Sequence, residues 1–292
     1  MAAGETIETQ RPRTTDYGLG AVETVLSVDE VAREAAELAA EGPKRERLCE
    51  LAGAEPLLSI ENLNAGYGRM EILHGFSLAV AKGQSLCLIG PNGAGKSTVL
   101  HSIYGFTTIT AGAIRVQGKD IKHLSSNAKL KNAGIAYILQ DDSVFPDMTV
   151  EENLVMGGYL MGRPSQAKAA AHRVFDRYPR LAERRSQRAG VLSGGERRLL
   201  EISRALIMEP DVLLVDEPSI GLEPRFIDMV FEILGDLQRK EGKTIVMVEQ
   251  NAKKGLEFAD IAYVLASGQL ALAGRGEELL ADPKVGRLFL GG

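Results

Sequence analysis

Cysteine is scarce in this chain. Only Cys49 and Cys87 occur among its 292 residues, and Cys87 lies inside the apolar run Ser85-Leu86-Cys87-Leu88-Ile89. Two thiols so placed make neither a disulfide framework nor a metal-ligand spacing, and a reducing compartment is expected. Long apolar runs are missing as well: no stretch approaches the ~20 residues a helix needs to span a bilayer. The best candidates, such as Val212 to Val215, end at once in charge. The first thirty residues scatter Glu5, Glu8, Arg11, Arg13, Asp16 and Glu23 with no apolar leader core, so a mature cytosolic terminus is expected in place of a secretory signal. Positive charge is not in excess either. A net charge of −5 and a pI near 5.6 give no general attraction to nucleic acid or anionic lipid, so any membrane contact must be local and carried by another protein. Histidine is limited to four residues, all at or before His172.

What is present is an ordinary globular composition, 45% hydrophobic and 25% charged, enough for one large domain or two small ones. Residues 1 to about 27 are Thr-rich and polar with no hydrophobic period, the mark of a poorly ordered tail. Val28, Val31, Ala35 and Leu38 then recur at helical spacing to Ala40, Gly42-Pro43 breaks the pattern, and a second short helix is expected from Arg45 to Ala52. Residues 1–55 thus form an N-terminal extension, and 56–292 the main domain.

In that domain, strands are predicted at Leu57 to Leu63, Ile72 to Val80, Ser85 to Ile89, Ala113 to Val116, Ile135 to Leu139, Val212 to Val215, Ile245 to Val248 and Ile261 to Leu265. A helix is predicted from Lys96 to Tyr104. Strand-helix alternation implies an α/β fold with a mostly parallel sheet. From about 141 to 190 the strands give way to helical patterns at Val150 to Met161, Gln166 to Tyr178 and Leu181 to Gln187, which reads as a helical insertion.

Three segments carry chemistry. Gly90-Pro91-Asn92-Gly93-Ala94-Gly95-Lys96-Ser97-Thr98 follows a strand and opens a helix. Its glycines let backbone N–H groups curl around phosphates, Lys96 brings a charge to the β- and γ-phosphates, and Ser97 offers a hydroxyl to Mg²⁺. Asp211-Val212-Leu213-Leu214-Val215-Asp216-Glu217 reads as a buried strand ending in two acids. Asp216 is placed to reach Mg²⁺ through water, and Glu217 to polarise an attacking water. Leu192-Ser193-Gly194-Gly195-Glu196 precedes an amphipathic run and looks like an N-cap and first helical turn. Ser193 and the bare amides of Gly194 and Gly195 form a second anion site. One domain holding both a phosphate cradle and a spare anion site is most simply explained if the spare site serves the nucleotide of a second copy.

In this order, these motifs resemble the ATP-binding subunits of ABC transporters from about Leu57 to Gly292, most closely those of branched-chain amino-acid, amide and urea importers. The resemblance implies the P-loop NTPase fold of the ABC ATPase type: a mainly parallel core sheet, an antiparallel β subdomain and an inserted helical subdomain. It implies that Tyr67, in Asn64-Ala65-Gly66-Tyr67-Gly68, stacks on adenine, and that Gln140 senses Mg²⁺ together with Ser97 and Asp216. Phe145 to Leu154 is similar to the segment that faces a permease. Two departures from the commoner pattern stand out. Where most such ATPases carry a switch histidine, this chain reads Val246-Met247-Val248-Glu249-Gln250-Asn251, and Gln250 must fill the role. The turn after the acid pair is Ser219-Ile220-Gly221-Leu222-Glu223-Pro224. Both features, like the ending Phe289-Leu290-Gly291-Gly292, are similar to the branched-chain subgroup.

ATP and Mg²⁺ are therefore the expected cofactors, with ATP closed between the loop of one subunit and Ser193, Gly194, Gly195 and Glu196 of another. Catalysis is expected from Glu217, Lys96 and Gln250. The expected partners are a second ATP-binding subunit, identical or a paralogue, two transmembrane permeases, and indirectly a solute-binding protein; nucleic acid is not expected. Such a protein would lie peripherally on the cytoplasmic face of the plasma membrane. The rivals are an ATPase for lipid or lipopolysaccharide export and a soluble, non-transport ABC ATPase.

Overall fold

The computed structural model describes residues 42–53, 55–140 and 143–290. The polar tail, the helical period from Val28 to Ala40 and the final Gly291-Gly292 fall outside them. Along the chain run the helix α1 (Arg45–Ala52), the strands β1 (Leu58–Tyr67), β2 (Met70–Val80) and β3 (Ser85–Ile89), the helix α2 (Lys96–Tyr104), the strands β4 (Thr108–Val116) and β5 (Lys119–Asp120), the helix α3 (Ser126–Ala133) and the strand β6 (Ile135–Ile138). Helices α4 (Val150–Gly157), α5 (Pro164–Arg177), α6 (Pro179–Glu183) and α7 (Gly194–Leu206) follow. Then come β7 (Val212–Asp216), α8 (Pro224–Arg239), β8 (Thr244–Val248), α9 (Ala252–Phe258), β9 (Ile261–Ala266), β10 (Gln269–Arg275) and α10 (Gly276–Ala281).

The larger sheet has the order β10-β9-β3-β8-β7-β6. All its pairs are parallel except the edge strand β10. Strands β3, β7, β8 and β9 are buried at every position, which explains why they read as unbroken apolar runs: helices cover both faces of a parallel sheet. The smaller sheet is antiparallel, β2-β1-β4-β5. Helix α1 caps this region, with Leu48 and Ala52 in the same core as β1 and β2. Leu51 accepts a hydrogen bond from Gln84 Nε2 at 3.1 Å.

The helical layer has its own core. Val150, Leu154, Ala171, Phe175 and Leu181 pack with Leu199 and Leu200 of α7 and with Ile207 just after it. Ile202, on the same helix, joins the core beneath the large sheet with Ile138 and Val215. Helix α7 is thereby shared between the helical layer and the sheet. No helix among the described residues is long and apolar enough to cross a membrane.

Four elements escaped the sequence reading: β5, α3, β10 and α10. The run Gln269–Arg275 is rich in Ala and Gly, which favour strands weakly. The stronger signal was Ser267-Gly268, both at positive φ (47° and 77°), a two-residue hairpin turn of the kind that pairs strands tightly. The helix from Val150 ends at Gly157 and not Met161, and the one expected from Leu181 begins earlier, with Pro179 in its first turn.

Lys129 on α3 is fully buried and its Nζ has no hydrogen-bond partner among the described residues. It stands against Gly105, where α2 ends, so the carbonyl end of that helix supplies a favourable field. Burial lowers its pKa to about 8, with Asp120 pulling the other way. A cationic group whose folded pKa is depressed costs stability while protonated in both states, and the cost is relieved as pH rises past the folded value. Replacing Lys129 by Met is expected to raise the melting temperature at pH 7. Melts from pH 7 to 10 should show that advantage shrinking above pH 8, and a pH-independent difference would contradict the account.

Candidate functional site

The carboxyl ends of β3, β6, β7 and β8 converge, the usual place for ligands in open parallel sheets. Directly after β3, Gly90 has φ +145°, and a Cβ there would lie 2.2 Å from the Leu265 carbonyl oxygen. Only glycine lets the loop pass so close to β9. Asn92 and Gly93 are exposed at the loop's tip, whereas Ala94, Gly95, Lys96 and Thr98 are buried beneath it. Lys96 Nζ donates to the carbonyls of Gly90 at 2.9 Å and Pro91 at 3.0 Å. Its ammonium is thus folded back across the loop it would share with phosphates.

At the end of β7 two adjacent carboxylates are almost withdrawn from solvent, Asp216 with 4% and Glu217 with 7% exposure. Asp216 accepts from Ser97 Oγ at 3.0 Å on one oxygen and from Tyr137 OH at 2.8 Å on the other. Burial and the Asp216 charge push the Tyr137 phenol up, so it stays a neutral donor. Glu217 has φ +43°, a left-handed conformation that non-glycine residues adopt at a cost. Its N–H still donates to Val248 O at 2.9 Å. Its Oε2 accepts from Gln140 Nε2 at 3.0 Å and Gln250 Nε2 at 2.9 Å. Burial pulls the Lys96 ammonium below the ordinary lysine value, against the opposing pull of Glu217 and Asp216. The structure therefore brings Lys96, Ser97, Gln140, Asp216, Glu217 and Gln250 into one cluster.

Ser97 Oγ and Asp216 Oδ1, 3.0 Å apart, are hard oxygens of the kind Mg²⁺ takes, and the Gln140 side chain, bound through Nε2 to the adjacent Glu217, carries a further amide oxygen. Among the described residues no group of three or more His, Cys, Asp or Glu side chains could hold a metal by itself. That set fits a cation shared with nucleotide phosphates, the usual arrangement for Mg²⁺.

Two predicted elements lie apart from this cluster. Tyr67 ends β1 with its side chain substantially exposed, and its hydroxyl meets Nδ1 of His101 on α2. His101 in turn packs edge-on against Tyr137. Ser193 caps α7: its Oγ accepts from Glu196 N at 3.3 Å, while Glu196 Oε2 receives Ser193 N at 3.0 Å and Ser193 Oγ at 2.9 Å. These bonds hold the Glu196 carboxyl below its usual range. A Cβ on Gly195 would come within 2.1 Å of the Phe226 ring, so glycine lets α8 lie close under the turn.

Four residues were missed. Tyr137 gave only the signal of a phenol on an otherwise apolar strand. Arg198 and Glu201 sit among the buried positions of α7, and charges in an apolar stripe are a readable anomaly. Glu249, 1% exposed, accepts from Ser219 Oγ at 2.8 Å and Asn251 N at 2.9 Å, tying β8 to the turn after Glu217.

The family described as ABC transporter matches residues 73–220. The high-affinity branched-chain amino acid transport ATP-binding protein BraG of Pseudomonas aeruginosa is 43% identical over 236 residues, covering 81% of this chain and all of that protein. A probable branched-chain amino acid transport ATP-binding protein, LivF of Archaeoglobus fulgidus, is 38% identical over 80% of this chain and 99% of its own length. The solved ADP conformation of an ATP-binding cassette of an ABC transporter superposes with a TM-score of 0.71 at 32% identity, covering 82% of this chain and 100% of that one.

Burial raises the Glu249 carboxyl above the usual range, opposed by its hydrogen bonds to Asn251 and Ser219, and its second oxygen has no partner among the described residues. An acid with a raised folded pKa is most favourable to the fold when protonated, so its contribution falls as pH rises from its unfolded value through the folded one. Glu249→Gln is expected to melt at or above the wild type at neutral pH. The wild type should gain on the variant as pH falls toward 4.5; a gap constant across that range would refute this.

Proposed function

This chain belongs to the ABC transporter family, and we propose from that premise that it is the ATP-hydrolysing subunit of an importer for branched-chain amino acids or related small solutes such as amides and urea. The branched-chain amino-acid reading rests on the named activities of BraG and LivF. The observation that carries the chemistry is Glu217, buried and held by two neutral amides beside Lys96 and the Ser97–Asp216 pair.

In this reading, Tyr67 stacks on adenine, and the amides from Gly90 to Thr98 wrap the phosphates. Lys96 exchanges the Gly90 and Pro91 carbonyls for the β- and γ-phosphates. Ser97, Asp216 and Gln140 hold Mg²⁺, which supplies charge neutralisation to the transferring phosphoryl group. The partner subunit's Ser193, the partner subunit's Gly194 and the partner subunit's Gly195 complete the pocket, with the partner subunit's Glu196 holding that turn in shape. Within its own subunit the Ser193 hydroxyl donates to Glu196, so closure requires it to turn toward phosphate. Glu217 orients water and takes its proton, and Gln250 donates a hydrogen bond to the γ-phosphate. The work is positioning and electrostatics.

Hydrolysis becomes transport only through membrane partners. Tyr137, Phe145, Met156, Tyr159 and Arg204 line a groove of about 300 Å³ between the sheet and the helical layer. Phe145, Met156 and Tyr159 expose apolar surface there, a fitting seat for a permease segment on the cytoplasmic face of the membrane. Copurification with two permeases supports this assignment, and copurification with ribosomes opposes it. Gln250 in place of histidine also weighs against the lipid-export reading.

Glu217→Gln keeps the shape and hydrogen-bonding capacity of the side chain but removes the base. The variant is expected to bind Mg-ATP with wild-type affinity while steady-state hydrolysis falls by about 10² or more. Phosphate-release assays beside equilibrium nucleotide binding make the comparison, and unchanged hydrolysis would remove Glu217 from this role.

A further inference from the structure

Arg198 lies on the second turn of α7, the helix that Ser193 caps. Its guanidinium is 5% exposed and makes three connections. Nη1 donates to the Leu139 carbonyl at 2.8 Å and to Glu201 Oε2 at 2.8 Å, and Nη2 donates to the Asp216 carbonyl at 3.4 Å. Both carbonyls belong to the residues immediately preceding Gln140 and Glu217. Those two side chains are themselves in contact, at 3.0 Å.

The ladder between β6 and β7 ends at the pair Ile138 and Val215. One residue further on, where sheet pairing has stopped, the Leu139 and Asp216 carbonyls are joined by the guanidinium instead. The spacing of the two strand ends, and with it the Gln140–Glu217 contact, is therefore set by a side chain from a different element. A planar fork is suited to this because it addresses two acceptors at fixed separation; a lysine ammonium lacks that geometry.

The arrangement is expensive. Arg198 and Glu201 form an ion pair with both side chains 5% exposed, and the guanidinium Nε has no partner among the described residues. Desolvating two charges commonly costs as much as their attraction returns, and apolar replacements of both are often neutral or stabilising. Stability alone does not account for the pair. Its geometry does something a leucine pair would not: it ties the helix bearing the Ser193 turn to the carbonyls behind Gln140 and Glu217.

We infer that Arg198 is a positioning residue that couples the two nucleotide sites of the dimer, transmitting engagement of the Ser193 turn on the partner's ATP to the Gln140–Glu217 pair on the subunit's own ATP. This rests on the paired-site reading above. The Ser193 turn serves one site and the Glu217 carboxylate the other, and α7 with Arg198 is the rigid link between them. A shift of α7 on closure moves both strand-end carbonyls at once, because one planar group holds them.

The test compares full-length wild type, Arg198→Lys and the double variant Arg198→Leu/Glu201→Leu. For each, ATP hydrolysis is measured against ATP concentration, with melting temperature and equilibrium ATP binding to the monomer. The double variant leaves no buried charge unpaired and should melt near the wild type. Coupling predicts a Hill coefficient falling toward about one, two being the ceiling for two sites, and a kcat reduced about tenfold with monomer ATP affinity within about twofold of wild type. Arg198→Lys keeps a cation for Glu201 but loses the fork, so it should lose cooperativity without unfolding. A cooperative wild type beside an equally cooperative Arg198→Lys, or beside a folded and equally cooperative double variant, overturns the coupling role alone. A wild type that hydrolyses ATP without cooperativity and without ATP-dependent dimers overturns the paired-site reading and this inference with it.

Discussion

The constraint that organises this molecule is the burial of two adjacent carboxylates at the end of one strand. Asp216 and Glu217 retain only 4% and 7% exposure, and a desolvated carboxylate without partners is among the costliest groups a fold can hold. Each is met by neutral donors. Ser97 and Tyr137 take the two oxygens of Asp216, while Gln140 and Gln250 converge on one oxygen of Glu217. Those donors come from α2, β6 and the segments following β6 and β8. The strand order that places β7 between β6 and β8 is what brings them within reach. Lys96 supplies the nearby positive charge from the first turn of α2, directly after the loop that follows β3.

Neutral donors leave the site chemically open. A cation bound tightly to Glu217 would stabilise the carboxylate and weaken it as a base. Two amides orient it, and their hydrogen bonds can be exchanged for water and phosphate at little cost. Gln250 has a further consequence in this position: an amide does not titrate near neutral pH, so its donor state stays constant where a histidine's would vary. The left-handed backbone at Glu217 is the local cost of turning a side chain out of a sheet toward two loops. Its N–H bond to Val248 O keeps the strand end in register while the side chain departs from it.

Much of the fold was legible because its core strands are buried on both faces and so spell themselves as apolar runs. Val212–Asp216 and Thr244–Val248 are examples, each buried throughout. The elements that were missed lack that signature. Strand β10 is an edge strand of small residues with exposed ends, and α3 has a weak apolar face with one buried residue, Lys129. At the site, residues held by short local motifs could be named from sequence: the Gly90 to Thr98 loop, the Asp216-Glu217 end and the Ser193 turn. Residues whose role depends on three-dimensional convergence could not. Tyr137 reaches Asp216 across 79 positions of sequence, and Arg198 reaches Leu139 across 59; neither separation leaves a local pattern.

Three of the missed residues share a property that bears on mechanism. Tyr137, Arg198 and Glu249 do not line the phosphate loop; each holds something that does the holding. Tyr137 fixes the second oxygen of Asp216, Glu249 fastens the Ser219 turn to β8, and Arg198 replaces the ladder where β6 and β7 part. They occupy the boundary between the sheet and the segments that carry Gln140, Glu217 and Ser219. A sheet stiff enough to present four strand ends together would by itself isolate the helical layer from the chemistry. Polar contacts placed just past the end of the ladder avoid that, because they pass a displacement of α7 to the carboxylates without requiring the sheet to deform.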